Sequence, residues 1–165
     1  MRRVPVLTLD LANFAPFGRV LEVGTGEVRH INGGTCERHH ALCAVDCAPG
    51  REPILSIFRG KARTLPMPIA MMERHPLGSQ AFMPLQGRDW IAVVAPDEGG
   101  APGKPVAFLA NGDQGVSYAA NVWHHPLIAL DERSDFLVAD SRGEDPNLEE
   151  ADYAEPWTLD LGGTR

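Results

Sequence analysis

The sequence predicts an all-β fold, a barrel or jelly roll with few short helices, built as one domain over residues 1–165. Three observations predict it. Short apolar runs recur along the whole chain. Turn formers, among 17 Gly and 14 Pro, separate them. No window offers a long amphipathic helix with good caps.

The elements follow in order. "VPVLTL" (Val4–Leu9) and "RVLEV" (Arg19–Val23) are the first two strands. Between them "DLANFAPFG" is a short helical piece, with Asp10 as its cap and Gly18 beyond its end. "ERHHALCAVDC" (Glu37–Cys47) reads as a strand on which His39 and His40 alternate faces. Cys36, Cys43 and Cys47 are an odd set with no C-x-x-C spacing, so free thiols are expected. "ILSIF" (Ile54–Phe58) and "QAFMPL" (Gln80–Leu85) are further strands. "WIAVVA" (Trp90–Ala95) is apolar throughout and must be covered on both faces. "PDEGGAPGKP" (Pro96–Pro105) reads as an exposed loop. "VAFLA", "PLIAL", "DFLVAD" and "WTLDL" complete the strands, and the acidic tail after Arg142 reads as a solvated surface segment.

Charge and hydropathy narrow the function. The net charge of −7 excludes a general nucleic-acid binder, which needs a basic face. No apolar run approaches the roughly 20 residues of a membrane span. The start "MRRVPVLTLDLANF" is broken by Pro5, Asp10 and Asn13 and makes a poor signal peptide. A soluble, cytoplasmic protein is expected. No dinucleotide, phosphate-loop or nucleophile-elbow motif occurs.

The chemistry concentrates in "MERHPLGSQAFMPLQG" (Met72–Gly87). Glu73 and His75 are two apart and share a strand face. "PLGS" turns the chain, and Gln80 opens the next strand. The frame Glu73-x-His75-x4-Gln80-x6-Gly87 resembles the first metal motif of cupin barrels, with Glu for its first His and Gln for its Glu. Asn121-x-x-His124 stands where the second motif has Gly-x-x-His. By alternation His124 then faces inward, and His125 faces the other way or the rim. Glu73, His75, Gln80 and His124 suit a divalent Ni, Mn, Zn or Fe ion. The open alternative is a hydrogen-bonded cluster that touches substrate with no cofactor. Arg59 can grip a carboxylate with two parallel bonds, or form a surface ion pair.

Five pieces carry a wider resemblance: "HINGG" (His30–Gly34), "LSIFR" (Leu55–Arg59), "ERHPLGSQAFMPLQG" (Glu73–Gly87), "QGVSYAANVWHHPL" (Gln114–Leu127) and "DFLVAD" (Asp135–Asp140). In order and spacing they resemble the ureidoglycolate lyases of allantoin degradation. The chain departs from that family at Ala120-Asn121 and at Ser141. The resemblance implies a cupin-like barrel, a homodimer, and cleavage of ureidoglycolate to glyoxylate and urea. On that reading His75 and His124, with Gln80 and Glu73, hold the metal. Without a metal, His75 or His124 is the base. Arg59 holds the substrate carboxylate, Gln80 lies against the substrate, and His125 is a candidate proton donor to urea. Two alternatives accompany it: another metal-dependent cupin enzyme, such as an isomerase or dioxygenase of a small acid, and a non-catalytic binding module.

Overall fold

The computed structural model describes residues 2–162. The chain runs through β1 (Val6–Thr8), a single helical turn α1 (Leu11–Phe14), β2 (Gly18–Leu21), β3 (Glu27–Ile31), β4 (Cys36–His40) and β5 (Glu52–Gly60). Next come β6 (Met67–Arg74), β7 (Gln80–Pro84), β8 (Trp90–Ala95), β9 (Asp97–Glu98), β10 (Ala101–Pro102) and β11 (Val106–Ala110). The last are β12 (Gly115–Tyr118), β13 (Trp123–His124), β14 (Ile128–Ala129), β15 (Ser134–Arg142) and β16 (Glu149–Leu159). The all-β expectation holds, and α1 begins at the expected cap, where the Asp10 carboxylate accepts from Asn13 N–H at 2.8 Å.

Two sheets carry the fold. The first has the order β1-β11-β8-β13-β6-β16, with β14 also on β8; the second has the order β2-β12-β7-β15-β5. The first sheet closes on itself. Arg3 bridges Thr158, Val4 N–H donates to Thr158 O at 2.9 Å, and Thr158 N–H donates to Arg2 O at 2.8 Å. Inside this closed sheet lies one core, with Ile69, Met72, Ile91, Val93, Trp123, Ile128 and Leu159. A second core lies between the two sheets, with Phe14, Phe82, Trp90, Phe108, Tyr118 and Phe136. This is the arrangement of a cupin-like β-barrel with a second sheet laid against it.

The run "WIAVVA" is β8, and all six of its residues are buried. Ile91, Val93 and Ala95 face the first core; Trp90, Ala92 and Val94 face the second. Period-two alternation therefore gives β8 two buried faces, as a wall shared by both cores.

Three expectations are corrected. The strand expected over Glu37–Cys47 stops at His40, because Ala41 takes a left-handed backbone (φ 50°) that ends the extended run. "PDEGGAPGKP" folds into the β9–β10 hairpin, pairing Glu98 with Ala101. Gly99 and Gly100 both have positive φ, as a tight two-residue hairpin turn demands. The acidic tail is only partly irregular. From Glu149 it forms β16 along β6, with Glu149, Glu150, Asp152 and Glu155 exposed and Trp157 and Leu159 turned into the first core.

Candidate active site

The site grows from one pair of strand positions. His124 of β13 lies opposite Glu73 of β6, so both side chains leave the same face of the first sheet. His75, two residues beyond Glu73, joins them. Glu73 Oε1 lies 3.5 Å from His124 Nε2 and 4.0 Å from His75 Nε2. The two imidazole rings are 5.1 Å apart between centroids.

Each ring is held by its other nitrogen. His75 Nδ1 is 2.7 Å from Asn147 O, and His124 Nδ1 is 2.9 Å from Val122 O. A carbonyl only accepts, so both neutral rings carry their proton on Nδ1 and present a lone pair on Nε2. Both Nε2 atoms are buried and, among the described residues, have no hydrogen-bond partner. Burial works against the Glu73 carboxylate, but the facing His124, followed by His75 and His125, outweighs it and holds the carboxyl below its ordinary range. At 3.5 Å the Glu73–His124 contact is too long for a well-formed hydrogen bond, and it is an ion pair only when that ring is protonated.

This donor set fits a divalent metal. One ligand atom each from Glu73, His75 and His124 lies within 4.8 Å of the others. Donors bonded to one first-row ion at about 2.0–2.2 Å stand no more than about 4.4 Å apart, and Glu73 Oε1 lies within that reach of both imidazole nitrogens. Two orphaned lone pairs and a carboxylate at such distances are also what an ion requires chemically.

The cluster opens on a cavity of about 330 Å³ whose wall includes Phe58, Glu73, Tyr118, His124 and His125. A larger groove of about 730 Å³ lies elsewhere, against α1, β2 and the segment Ala41–Asp46, with none of the clustered groups in its lining. The chemistry marks the smaller cavity as the candidate site.

His124 and His125 both line that cavity, which corrects the expected alternation. The reason is a β-bulge. Trp123 and His124 pair with Ala95 and Val94, yet Ile128 pairs with Ile91, so the strand has one residue too many between the two pairings. His125 leaves the ladder there while its N–H still donates to Val93 O at 2.9 Å. Its Nδ1 is 2.8 Å from Pro126 O, which leaves Nε2 as an acceptor. Burial is the largest influence on this ring; the Pro126 carbonyl opposes it, and the balance lowers the His125 pKa.

Gln80 and Arg59 are each held by a carboxylate outside the three clustered groups. Gln80 is buried, and its Nε2 donates to Asp140 Oδ2 at 3.3 Å. A carboxylate cannot donate, so the amide nitrogen must face Asp140, and among the described residues Gln80 Oε1 is left buried without a partner. Arg59 lies at the cavity wall on β5. Its Nε and Nη2 are 2.8 and 3.0 Å from the two oxygens of Asp135, directly opposite on β15. The two-pronged grip expected for a substrate is thus made on Asp135.

Sequence reasoning missed two site residues. Tyr118 stacks flat on His124, with centroids 4.4 Å apart. Asp140 holds the Gln80 amide. Tyr118 was legible in principle, since it alternates with the buried Val116. Burial, and after it the Glu73 charge, pushes the Tyr118 phenol up.

Comparison with known proteins agrees with this picture. The family model described as ureidoglycolate lyase matches residues 1–160. The chain is similar to proteins named ureidoglycolate lyase from several bacteria. The one from Agrobacterium fabrum (strain C58 / ATCC 33970) is 56% identical over 147 residues, 88% of this chain and 89% of the relative. The one from Rhizobium etli (strain CIAT 652) is 54% identical over the same shares, and that from Brucella ovis (strain ATCC 25840 / 63/290 / NCTC 10512) is 55% identical over 86% of each chain. With a cupin-like frame, a Glu73–His75–His124 cluster and this likeness over nearly its whole length, the chain belongs to the ureidoglycolate lyase family.

Proposed function

We propose that this protein is a ureidoglycolate lyase, cleaving ureidoglycolate to glyoxylate and urea. The observation that carries the reading is the Glu73–His75–His124 cluster, whose Glu73 and His124 line a small cavity, in a chain of this family. Family membership also supports its alternatives less: nothing points to an isomerase, a dioxygenase or a silent binding module.

The reaction is an elimination. The hydroxyl proton is removed, its O–H electron pair becomes the second C–O bond of glyoxylate, and the C–N pair leaves with the urea nitrogen. That nitrogen takes up one proton, so the balance closes without another reactant. In the metal-free protein Nε2 of His124 or His75 takes the hydroxyl proton, and Glu73 steadies the imidazolium. A divalent ion would be held by Glu73, His75 and His124, with Gln80 Oε1 as a candidate fourth donor. Bound there, a divalent ion would acidify the hydroxyl and fix the substrate's geometry. His125 is our candidate to carry the proton to urea. Its neutral ring must first take that proton up at Nε2, so it works as a carrier rather than a standing acid. Arg59 is our candidate for the substrate carboxylate. With two of its nitrogens on Asp135, it offers Nη1 at the cavity wall.

The same reading takes the chain as one domain, cytoplasmic, active in allantoin degradation and dimeric. Strands from both ends share the first sheet, which supports one domain. Leu55, Ile57 and Leu137 are exposed side by side on β5 and β15, which supports a second copy there.

The test is release of urea and glyoxylate from ureidoglycolate, with and without chelator, by the native protein and His124→Ala. Release lost on chelation and restored by Mn²⁺ or Ni²⁺ supports the metal form. Release that survives chelation supports the histidine-base form. His124→Ala should lose about 10²–10⁴-fold in rate while remaining folded. No release from either enantiomer overturns the reading.

A further inference from the structure

Behind the cluster, on the opposite face of the same strands, sits a second set of interactions that the reaction does not use. Arg74 lies between Glu73 and His75 in sequence, and Trp123 lies directly before His124. Alternation sends Arg74 and Trp123 to the first-core side of the sheet and Glu73 and His124 to the cavity side. The Arg74 guanidinium stacks over the Trp123 ring, 4.3 Å from its centroid. Its Nη1 is 2.8 Å from Asp97 Oδ1, and its Nε is 2.6 Å from Glu149 Oε2. Trp123 Nε1 donates to the same Asp97 oxygen at 2.9 Å. The Arg74 side chain is only 14% exposed.

β13 is paired to β8 at two positions, but between β13 and β6 the ladder alone is thin. β13 is two residues long and meets β6 at the single pair His124–Glu73. Beyond it the strand bulges. Besides the backbone bond from Asn121 N–H to His75 O, the distance from His124 to Glu73 and His75 therefore depends on what ties Trp123 to Arg74 from behind. That tie is made twice, once by the stack and once through Asp97. Glu149 extends it to β16.

We propose that Arg74 is a positioning residue: with Trp123, Asp97 and Glu149 it clamps β13 to β6 from the reverse face and so sets the geometry of His124 against Glu73 and His75. The proposal rests on the cluster being the reacting site. Arg74 touches no substrate. Its loss should lower kcat and leave KM nearly alone, because Phe58 and Arg59, on the other side of the cavity, are untouched.

The test compares Arg74→Gln, Arg74→Lys and Asp97→Ala with the native protein and with His124→Ala. All are assayed on ureidoglycolate well below each variant's Tm, with Mn²⁺ binding to the chelated proteins followed by calorimetry. Arg74→Gln should lose about 10–100-fold in kcat, as supporting groups behind reactive ligands usually cost. KM should stay within about twofold. Arg74→Lys should recover part of the loss, since an ammonium reaches one carboxylate but lacks the planar fork. Mn²⁺, where the native protein binds it, should bind Arg74→Gln about tenfold more weakly. If Arg74→Gln does not fold, Asp97→Ala replaces it, because Asp97 lies on the outer hairpin and links the same two residues. A folded variant with native kcat and only a lowered Tm overturns the clamp. Activity undiminished in His124→Ala overturns the site reading instead, so the two failures are distinct.

Discussion

Asn121 sits at φ 67°, in the left-handed region where a side chain is usually strained. It holds the place of the glycine in the Gly-x-x-His frame, and asparagine is among the few residues that tolerate this conformation. Its N–H donates to His75 O at 2.9 Å, which ties the entry of β13 to the cluster. Asn121→Gly should therefore be nearly neutral in thermal unfolding, while Asn121→Val should cost about 1–2 kcal/mol. Equal Tm values for the two variants would refute the backbone argument. The sequence showed Glu73, His75 and His124 as candidates because spacing of two and a frame of fixed gaps survive folding unchanged. The shared cavity of His124 and His125 was not legible. It depends on one inserted residue, and a bulge appears only when two strands are paired. Asp140 was hidden for a similar reason, since its partner Gln80 is brought to it by the β7–β15 ladder.

At the scale of elements, β5 and β15 pair along nine residues, from Ser134 with Gly60 to Arg142 with Glu52. Arg59 and Asp135 face each other in that ladder. The Arg59 guanidinium is the main reason the Asp135 carboxyl lies below its ordinary range. In Arg59→Ala that carboxyl should titrate higher, as carboxyl NMR would show. If Arg59 also holds the substrate carboxylate, KM should rise about tenfold or more with little change in kcat. An unchanged KM would confine Arg59 to the ladder. The element reading was soundest where alternation was regular, as in β8 and β15. It failed where a turn intervened or a run mixed charges with buried residues. β16 was misread for that reason: its acidic positions dominate the composition, yet pairing with β6 decides its state.

For the whole molecule, the two-sided burial of β8 was legible, but the closure of the first sheet was not. That closure joins Arg2–Val4 to Thr158, and no local pattern marks so distant a pairing. The protein has two tyrosines, and both are withheld from solvent to some degree. Burial lifts the Tyr153 phenol to about 12, and its hydroxyl donates to Gly103 O at 2.7 Å. Tyr118 is lifted as well. Unfolded phenols ionise near pH 10, so the native state holds the extra protons above that pH. The stability they contribute is complete below pH 10 and is lost as pH rises through about 12. Phenolate absorbance should stay flat through pH 10 and rise only above it. A full tyrosine transition near pH 10 in the folded protein would contradict this burial.

The shared wall also divides the site into a fixed side and a yielding side. β8 and its neighbour β13 cannot shift without disturbing two packed interiors at once, and protein interiors resist such shifts. Across the cavity, Phe58 and Arg59 belong to β5, which ends the second sheet and has a neighbour on one side only. An opening that admits a molecule to the cavity would disturb the least packing at that outer strand. The groups that must keep their distances are thus mounted on the stiff half, and the doorway is left to the half that can flex without cost to them.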